Sequence, residues 1–280
     1  VSIEVFPWEK RAERYMLAIA GGRTSDVGYL NADNFAQFAD MGALLPLEQY
    51  ISKELWDDYK SVAKKLLMWE DHFYVMPSDA TSSPPWYHMD LLADAGIQEF
   101  PTTWEEYEEL CKKTTKDLNG DGKPDQWGTT HGLIPFGPWF LWLPWFYQAG
   151  GKWLNEDMTQ ATFNDEAGVE ALEFIVKLYD NYMSPMDKSK GQHYNELFLT
   201  GKAASIWAEE QLFIKIVSTE YPDLNFKLGP VLKHKDQVTM GTVGGYGIFT
   251  QSKHPDAAAK WILFLTNKEN TLAFCERFYL

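Results

Sequence analysis

The sequence predicts an α/β protein that folds into two lobes. Residues 1–6 alternate in the manner of a strand, residues 9–20 have helical spacing, and residues 26–30 form a short apolar run. The order strand, helix, strand is typical of a parallel α/β sheet. Two prolines interrupt the extended segment 82–87, SSPPWY. Because proline cannot donate to a sheet ladder, we interpret this segment as a crossover between lobes rather than a central strand.

The first lobe begins with the predicted helix at residues 9–20, which ends at a Gly-Gly pair. Its apolar residues recur at helical spacing and are Ala12, Tyr15, Met16, Ile19 and Ala20. Helices are also predicted at residues 35–40 and 55–67, followed by a hairpin-like segment around residues 71–77. The chain has 280 residues, 45% of them hydrophobic, which is enough apolar material for one large core or two smaller ones.

The second lobe contains two well-defined predicted helices. Thr103 and Glu106 form a capping box that starts the first of them, at residues 103–114. The apolar face of this helix consists of Trp104, Tyr107, Leu110 and Cys111. The second helix, at residues 165–181, is amphipathic. The residues we expect it to bury are Val169, Leu172, Ile175, Val176 and Tyr179.

The last third of the chain adds a predicted strand and a helix. Residues 242–250, TVGGYGIFT, have the pattern of a strand whose glycines allow another segment to approach closely. Residues 255–265 follow as a helix with proline in its first turn. Its predicted inward face consists of Ala258, Trp261, Ile262 and Leu265.

The formal net charge of −15 excludes nucleic acids and anionic membrane surfaces as partners, since binding phosphates requires basic patches. Neutral and cationic ligands stay open, and the charge also serves solubility. The longest apolar stretch, residues 136–149, is broken by two prolines and is too short to cross a bilayer. The two cysteines, Cys111 and Cys275, form no metal or redox motif, and we expect no disulfide. No signal peptide is visible in the first residues.

Aromatic residues are unusually frequent in this chain. Twelve Trp, 14 Tyr and 17 Phe together make up 15% of the residues. Trp and Tyr combine a broad apolar face with a polar edge, so a surplus of them is typical of surfaces that hold a partly polar, partly apolar ligand. Core packing accounts for the others.

Four segments carry a resemblance to a known family. They are IAGGRTSDVGYLNADNFAQFADMGALLPL (19–47), YVMPSDATSSPPWYHMDLLADAGIQEFPTTWEEY (74–107), LFLTGKAASIW (197–207) and VGGYGIFTQSKHPDAAAKWILFLTN (243–267). In order and spacing they resemble the family 1 extracellular solute-binding proteins of ABC importers. The resemblance implies a non-enzymatic receptor that closes by a hinge on a sugar or oligosaccharide bound in a cleft between two lobes. It also implies delivery of the sugar to the permease subunits.

The resemblance further implies how the chain is divided. It places residues 1–83 and 244–280 in the N-terminal lobe and residues 84–243 in the C-terminal lobe, with hinge segments near 82–87 and 237–244. Relative to the family pattern the chain is expected to be truncated at both ends, so ligand contacts from further C-terminal helices cannot be named. We expect a monomer outside the cytoplasm, either periplasmic or lipid-anchored, that requires no cofactor.

Candidate ligand-binding residues in the first lobe follow the predicted strands. A sugar presents an apolar face and a rim of hydroxyls, which require aromatic platforms and side chains that donate and accept hydrogen bonds. Asp33 and Asn34 follow the strand at 26–30, where open α/β sheets bind ligands. By the resemblance, Asp33 falls on an acidic sugar-binding position; the alternative is a helix N-cap. Asp79 and Thr81 precede the crossover, and their alternative is turn chemistry.

The remaining candidates are mostly aromatic. Trp139 and Trp142 lie in the Trp-rich segment 136–151, where the resemblance places aromatic platforms. Together with Trp145 they share nearly one helical face, and we expect Trp139 in the cleft and at least one of the others in the core. The segment WAEEQ supplies Trp207, Glu209 and Gln211, and the GGYG segment supplies Tyr246, whose glycines also suit a plain hinge.

The segment DLNGDGKPDQWG is a separate candidate metal site. Asp117, Asn119, Asp121 and Asp125 occupy positions 1, 3, 5 and 9 of an EF-hand-like loop, with glycine at position 6. Position 12 is Gly128 rather than the usual bidentate glutamate. The sequence therefore leaves two alternatives, a structural calcium site and a metal-free acidic turn.

The main alternative function from another class is a glycoside hydrolase, which also uses aromatic platforms. Such an enzyme requires two carboxylates on opposite sides of the scissile bond. The adjacent Glu209 and Glu210 diverge on a helix and cannot flank one bond. The sequence contains no Ser/His/Asp, metal-hydrolase or phosphate-loop motif. A lectin-like protein without a transporter is a third alternative, which the absence of repeated modules disfavours.

Overall fold

A computed structural model describes residues 1–131, 139–184, 193–207, 214 and 217–278. The chain forms two compact units. Unit 1 comprises Val1–Thr81 and Gly241–Leu280, and unit 2 comprises Ser82–Met240. The predicted hinge segments, 82–87 and 237–244, contain these borders. Hinge motion at these segments stays a prediction.

The described residues form helices and strands in both units. The helices are α1 (Arg11–Ala20), α2 (Phe35–Asp40), α3 (Lys53–Asp58), α4 (Ser61–Leu66), α5 (Met89–Asp94), α6 (Trp104–Thr114), α7 (Trp139–Gln148), α8 (Glu166–Asn181), α9 (His193–Leu199), α10 (Pro255–Leu265) and α11 (Lys268–Phe278). The strands are β1 (Val27–Asn31), β2 (Met68–Trp69), β3 (His72–Phe73), β4 (Met76–Ser82), β5 (Pro85–His88), β6 (Thr130–His131), β7 (Ser205–Trp207), β8 (Phe226–Leu228) and β9 (Gly241–Ile248). This content confirms the predicted α/β class.

Unit 1 is built on a sheet in the order β1-β9-β4. β1 and β9 are antiparallel, with Tyr29 opposite Tyr246 and Asn31 opposite Gly244. A Cβ on Gly244 would overlap the Tyr29 hydroxyl, and one on Gly245 would overlap the backbone of β4. The predicted close approach at these glycines is therefore confirmed. The core of this unit includes Leu30, Phe38, Val75 and Phe249.

Two expectations for unit 1 are wrong. Residues 1–6 form no strand, and Val1, Ile3 and Val5 are exposed. The predicted parallel order of strand, helix and strand is therefore absent at this end, and β1 pairs with the distant β9 in the antiparallel sense. Alternation of apolar residues describes a strand's faces but does not supply a partner, and without a partner the backbone has no ladder to join.

The helices and hairpin of unit 1 follow the sequence with one break. α1 and α2 occur where predicted, but the predicted helix at 55–67 is two helices, α3 and α4, separated by extended backbone at Tyr59 and Lys60. The Ser52 hydroxyl caps α3 by accepting the Leu55 N–H at 3.2 Å. The hairpin joins β2 and β3 through two residues with positive φ, Glu70 and Asp71, slightly before the predicted position.

Unit 2 is built on a sheet in the order β6-β7-β5-β8. β5 pairs with β7 on one side and β8 on the other, both antiparallel, while β6 and β7 are parallel. The prediction that residues 82–87 contain no central strand is therefore wrong for residues 85–87. Pro85 is the first residue of β5, a position where a missing N–H is tolerated. Trp86 and Tyr87, which follow it, are fully buried.

The predicted buried face is confirmed for one helix of unit 2 and is wrong for another. α6 has the predicted capping box, and its predicted apolar face is buried. α8 packs on α7 through a face one residue away from the predicted one, and that face consists of Gly168, Ala171, Ile175 and Leu178. Four predicted core residues of α8, namely Val169, Leu172, Val176 and Tyr179, are instead 38% to 54% exposed. Two neighbouring apolar stripes satisfy the same periodicity, and the closer approach of the small residues decides which is buried.

Candidate functional site

A cluster of aromatic and acidic side chains lies on the sheet of unit 1. Tyr29 of β1 is at its centre and donates its hydroxyl to Asp79 of β4, at 2.9 and 3.0 Å from the two carboxylate oxygens. The Ser78 hydroxyl donates to the same carboxylate at 2.6 Å. The Tyr246 ring of β9 lies edge-on to the Tyr29 ring, with 5.6 Å between centroids. The antiparallel register that places Tyr246 opposite Tyr29 brings these groups together.

A second group of side chains continues the cluster towards the N-terminus. The Arg11 guanidinium, at the start of α1, donates to the Asn31 side-chain oxygen at 3.2 Å and lies 3.6 Å from the Asp33 carboxylate. Its carbon lies 3.8 Å from the centroid of the Trp8 ring. Trp8 in turn lies 5.8 Å from the Tyr29 ring, tilted by 55°. The two groups therefore form one continuous surface, which we call the Tyr29 cluster.

Burial and charge set the protonation of this cluster. Burial and the neighbouring Asp79 carboxylate raise the pKa of Tyr29, and the same two causes raise the pKa of Tyr246. Both phenols therefore stay protonated and available as donors. Burial lowers the pKa of Arg11, and Asp33 partly offsets this. Arginine nevertheless stays charged at neutral pH, since its ordinary pKa is above 12.

The Tyr29 cluster combines the groups that a polyhydroxylated ligand requires. Trp8 and Tyr246 supply apolar ring surface, and the Asp33 and Asp79 carboxylates supply acceptors for hydroxyl donors. Within the described residues no lysine, arginine or histidine lies within 4 Å of Asp79. The carboxylate thus keeps acceptor capacity beyond its bonds to Tyr29 and Ser78.

The structure places three of the four predicted first-lobe residues in or beside this cluster. Asp33 is 54% exposed and pairs with Arg11, and Asp79 bonds Tyr29. Asn34 precedes α2, but its side chain makes no cap bond and instead accepts the Asn31 N–H at 3.3 Å. Neither Asp33 nor Asn34 caps α2 with its side chain, so the alternative of a helix N-cap is wrong for both residues. Thr81 is buried and shares a hydrogen bond of 3.0 Å with the Thr242 hydroxyl rather than with a member of the cluster.

Of the aromatic candidates whose side chains the structure describes, Tyr246 lies in the Tyr29 cluster. In unit 2, Trp207 is 5% exposed and donates its indole N–H to the Tyr107 hydroxyl at 3.2 Å, so the structure places it in the core. Trp142 is partly buried and stacks on Phe146 at 4.5 Å between centroids. Trp145 is fully buried, which confirms that one of the three tryptophans belongs to the core.

The other candidates of unit 2 lie outside the described residues. These are Glu209, Gln211 and the side chain of Trp139. Their contact with a ligand, like that of the candidates above, stays a prediction.

Sequence reasoning missed five members of the Tyr29 cluster, namely Trp8, Arg11, Tyr29, Asn31 and Ser78. Alternation along β1 is a signal for two of them, since Tyr29 and Asn31 share a strand face. Trp8 and Arg11 carry no such signal. They precede or begin α1, and only the folded chain brings them to β1.

The carboxylates of the acidic loop accept hydrogen bonds from backbone N–H groups of the same loop. The Asp117 carboxylate accepts the N–H groups of Gly120 and Gly122, at 2.6 and 2.8 Å. Asp125 accepts the N–H of Leu118 at 2.9 Å and two bonds from Asn119. These backbone donors lower the pKa of Asp117.

Among the residues described, no group of three or more His, Cys, Asp or Glu side chains is placed to hold a metal ion. Both alternatives, calcium binding by Asp117, Asn119, Asp121 and Asp125 and a metal-free acidic turn, stay predictions.

The sequence matches the profile of the bacterial extracellular solute-binding proteins over residues 1–272. The chain belongs to this family. This membership confirms the resemblance on which the expected receptor was based. Proteins of this family bind solutes, and their family description places them outside the cell. Of the helices that the structure describes, none is long and apolar enough to span a membrane.

Relatives of this solute-binding protein include sugar-binding proteins. It is 24% identical to the maltotriose-binding protein of Pyrococcus abyssi over 265 residues, which is 90% of this chain and 53% of the relative. The chain thus spans about half the length of this curated relative.

Solved structures share the fold of the family. The GacH receptor of Streptomyces glaucescens superposes with a TM-score of 0.83 at 22% identity, over 98% of this chain and 70% of the receptor. The sugar-binding protein MalE of Xanthomonas citri superposes with a TM-score of 0.85 at 20% identity, over 100% and 71% of the two chains. The two-lobed α/β fold of periplasmic binding proteins is therefore confirmed. At these identities the likeness shows the fold alone.

Proposed function

We propose that this solute-binding protein captures a sugar or oligosaccharide for an ABC importer. The observation that carries the proposal is the Tyr29 cluster, in which ring surfaces and carboxylates lie side by side on one sheet. The names of relatives support it. A maltotriose-binding protein is similar in sequence, and a cyclo/maltodextrin-binding protein solved with maltotetraose is similar in fold.

The cluster suggests how a sugar binds. Sugar C–H groups pack on the aromatic ring surface of the cluster, and sugar hydroxyls donate to Asp79 and Asp33. Tyr29 holds Asp79 in place through its hydroxyl proton, which is shared between the two carboxylate oxygens. A sugar that lacks the matching hydroxyl leaves a carboxylate unpaired, which costs about 1 to 3 kcal/mol and provides specificity.

Unit 2 completes the proposal with the platforms expected from the family resemblance. We propose that the two lobes close on the sugar about their hinge, and that the loaded receptor passes it unchanged to the permease subunits. The receptor acts as a monomer outside the cytoplasm, either periplasmic or lipid-anchored. It needs no cofactor for binding, and it is not an enzyme.

Calorimetric titration of the full-length protein with maltotriose, followed by chromatography of the recovered sugar, tests this proposal. We expect saturable binding, a melting temperature that rises with sugar concentration by mass action, and intact maltotriose afterwards. A panel of other neutral sugars, amino acids and peptides in parallel defines the ligand class. Cleaved sugar would support the hydrolase alternative. Binding of amino acids or peptides but of no sugar would refute the carbohydrate proposal.

A further inference from the structure

Trp8 presents an exposed indole although two other side chains contact its ring. It lies in a short 3-10 turn, Trp8–Lys10, directly after Pro7 and directly before α1. The side chain is 46% exposed. The Arg11 guanidinium covers one ring face at 3.8 Å, and the Tyr29 ring approaches at 5.8 Å with a tilt of 55°. The exposed area therefore belongs mainly to the ring face opposite Arg11.

Arg11 is fixed behind this ring. It is 6% exposed, donates to the Asn31 side chain and pairs with Asp33. Its Nε is buried and has no hydrogen-bond partner among the described residues. A guanidinium packed flat over an indole is attracted by the ring's electron-rich face, and the attraction strengthens when water is excluded. Arg11 therefore restricts the orientation of Trp8 without contacting the open face.

We infer that Trp8 is a pyranose-binding platform of unit 1, and that Arg11 is a positioning residue that fixes the indole for it. This inference rests on the proposed function and adds two residues to it. A flat ring face beside Tyr29, whose hydroxyl bonds the Asp79 carboxylate, matches a sugar, whose apolar C–H face and hydroxyl rim must be met at the same time. A preorganised platform also avoids the entropy cost of immobilising a free indole on binding.

Maltotriose titrations of full-length Trp8→Ala test the platform. We expect the affinity to fall about tenfold, as is typical when a central aromatic contact is truncated. Trp69→Ala is the matched control, because Trp69 is a similarly exposed tryptophan of the same unit that lies in the β2-β3 hairpin. The control should bind maltotriose as the wild type does. Wild-type affinity in Trp8→Ala would overturn the inference.

A double-mutant cycle tests the positioning role of Arg11. If Arg11 acts through Trp8, then Arg11→Met should lower maltotriose affinity about threefold to fivefold alone and have no further effect in the Trp8→Ala background. Arg11→Lys keeps a cation over the ring but loses the planar fork, so it should recover part of the loss. Losses that multiply, or wild-type affinity in both Arg11 variants, would overturn the positioning role.

Arg11→Met leaves Asn31 and Asp33 without their partner. If this variant fails to fold, the double-mutant cycle is run with Arg11→Lys. If the wild type binds another sugar of the panel but not maltotriose, that sugar replaces maltotriose in every titration.

Two outcomes separate this inference from the proposed function. If no sugar binds the wild type, the proposed function and this inference both fail. Normal sugar binding with an unaffected Trp8→Ala rejects the inference alone.

Discussion

Replacing Tyr29 with phenylalanine removes one hydroxyl from the centre of the cluster and leaves the ring contacts in place. That hydroxyl donates to both oxygens of the Asp79 carboxylate. A hydrogen bond to a charged group contributes about 1.5 to 3 kcal/mol. Asp79 is only half-buried and keeps its bond from Ser78, so some of this is recovered. We therefore expect Tyr29→Phe to lower the free energy of unfolding by about 1 to 2 kcal/mol.

Urea denaturation followed by circular dichroism measures this change. The matched control is Tyr59→Phe in the same unit, which is also half-buried but donates to the neutral carbonyl of Thr266 at 3.4 Å. At that distance and with a neutral acceptor, the loss should stay below about 0.5 kcal/mol. Equal losses in the two variants, or wild-type stability in Tyr29→Phe, would refute the assignment of Asp79 as a carboxylate held by Tyr29.

Three further predictions concern unit 2. Leu172→Lys on the exposed stripe of α8 should change the free energy of unfolding by less than about 0.5 kcal/mol. Ala171→Leu on the buried face of α8 should lower it by about 1 to 3 kcal/mol by overpacking. Urea denaturation measures both changes, and the reverse ranking would contradict the assignment of the buried face. Calcium should bind the acidic loop with a Kd no lower than about 10⁻⁴ M, because the bidentate glutamate is missing. Calorimetric titration measures this Kd. A tighter affinity that is the same in the wild type and in Asp117→Asn would show that the ion binds elsewhere. The hydrogen bond from Lys235 lowers the pKa of Glu170, so its stabilising contribution is present above the unfolded pKa and is lost as the pH falls through the folded value. Glu170→Gln should therefore flatten the acid side of a stability-against-pH profile, and an unchanged profile would exclude this linkage.

Local chemistry explains why much of the fold was predictable. The capping box of Thr103 and Glu106 satisfies free N–H groups within four residues, so it starts α6 in any context. The glycines of β9 similarly mark a close approach that the Tyr29 side chain fills. Asp33, Asp79 and Tyr246 were foreseeable as candidate binding residues for a related reason. They lie on or directly after strands, where neighbouring strands bring polar side chains to one surface.

The remaining features depend on contacts between distant segments. Two apolar stripes of α8 were equivalent in periodicity, and only packing on α7 selected the one with Gly168 and Ala171. β5 became a central strand because β7 and β8, more than a hundred residues further along the chain, supplied partners on both sides.

The platform of unit 1 depends on the fold in the same way. Trp8 had no local signal, and it joins the cluster through its contacts with Arg11 and Tyr29. Periodicity and capping act over a few residues and can therefore be recognised in the sequence alone. Strand pairing, the choice of a buried face and the approach of Arg11 to Asp33 are decided by which distant surfaces bury the most apolar area, and that is a property of the folded chain.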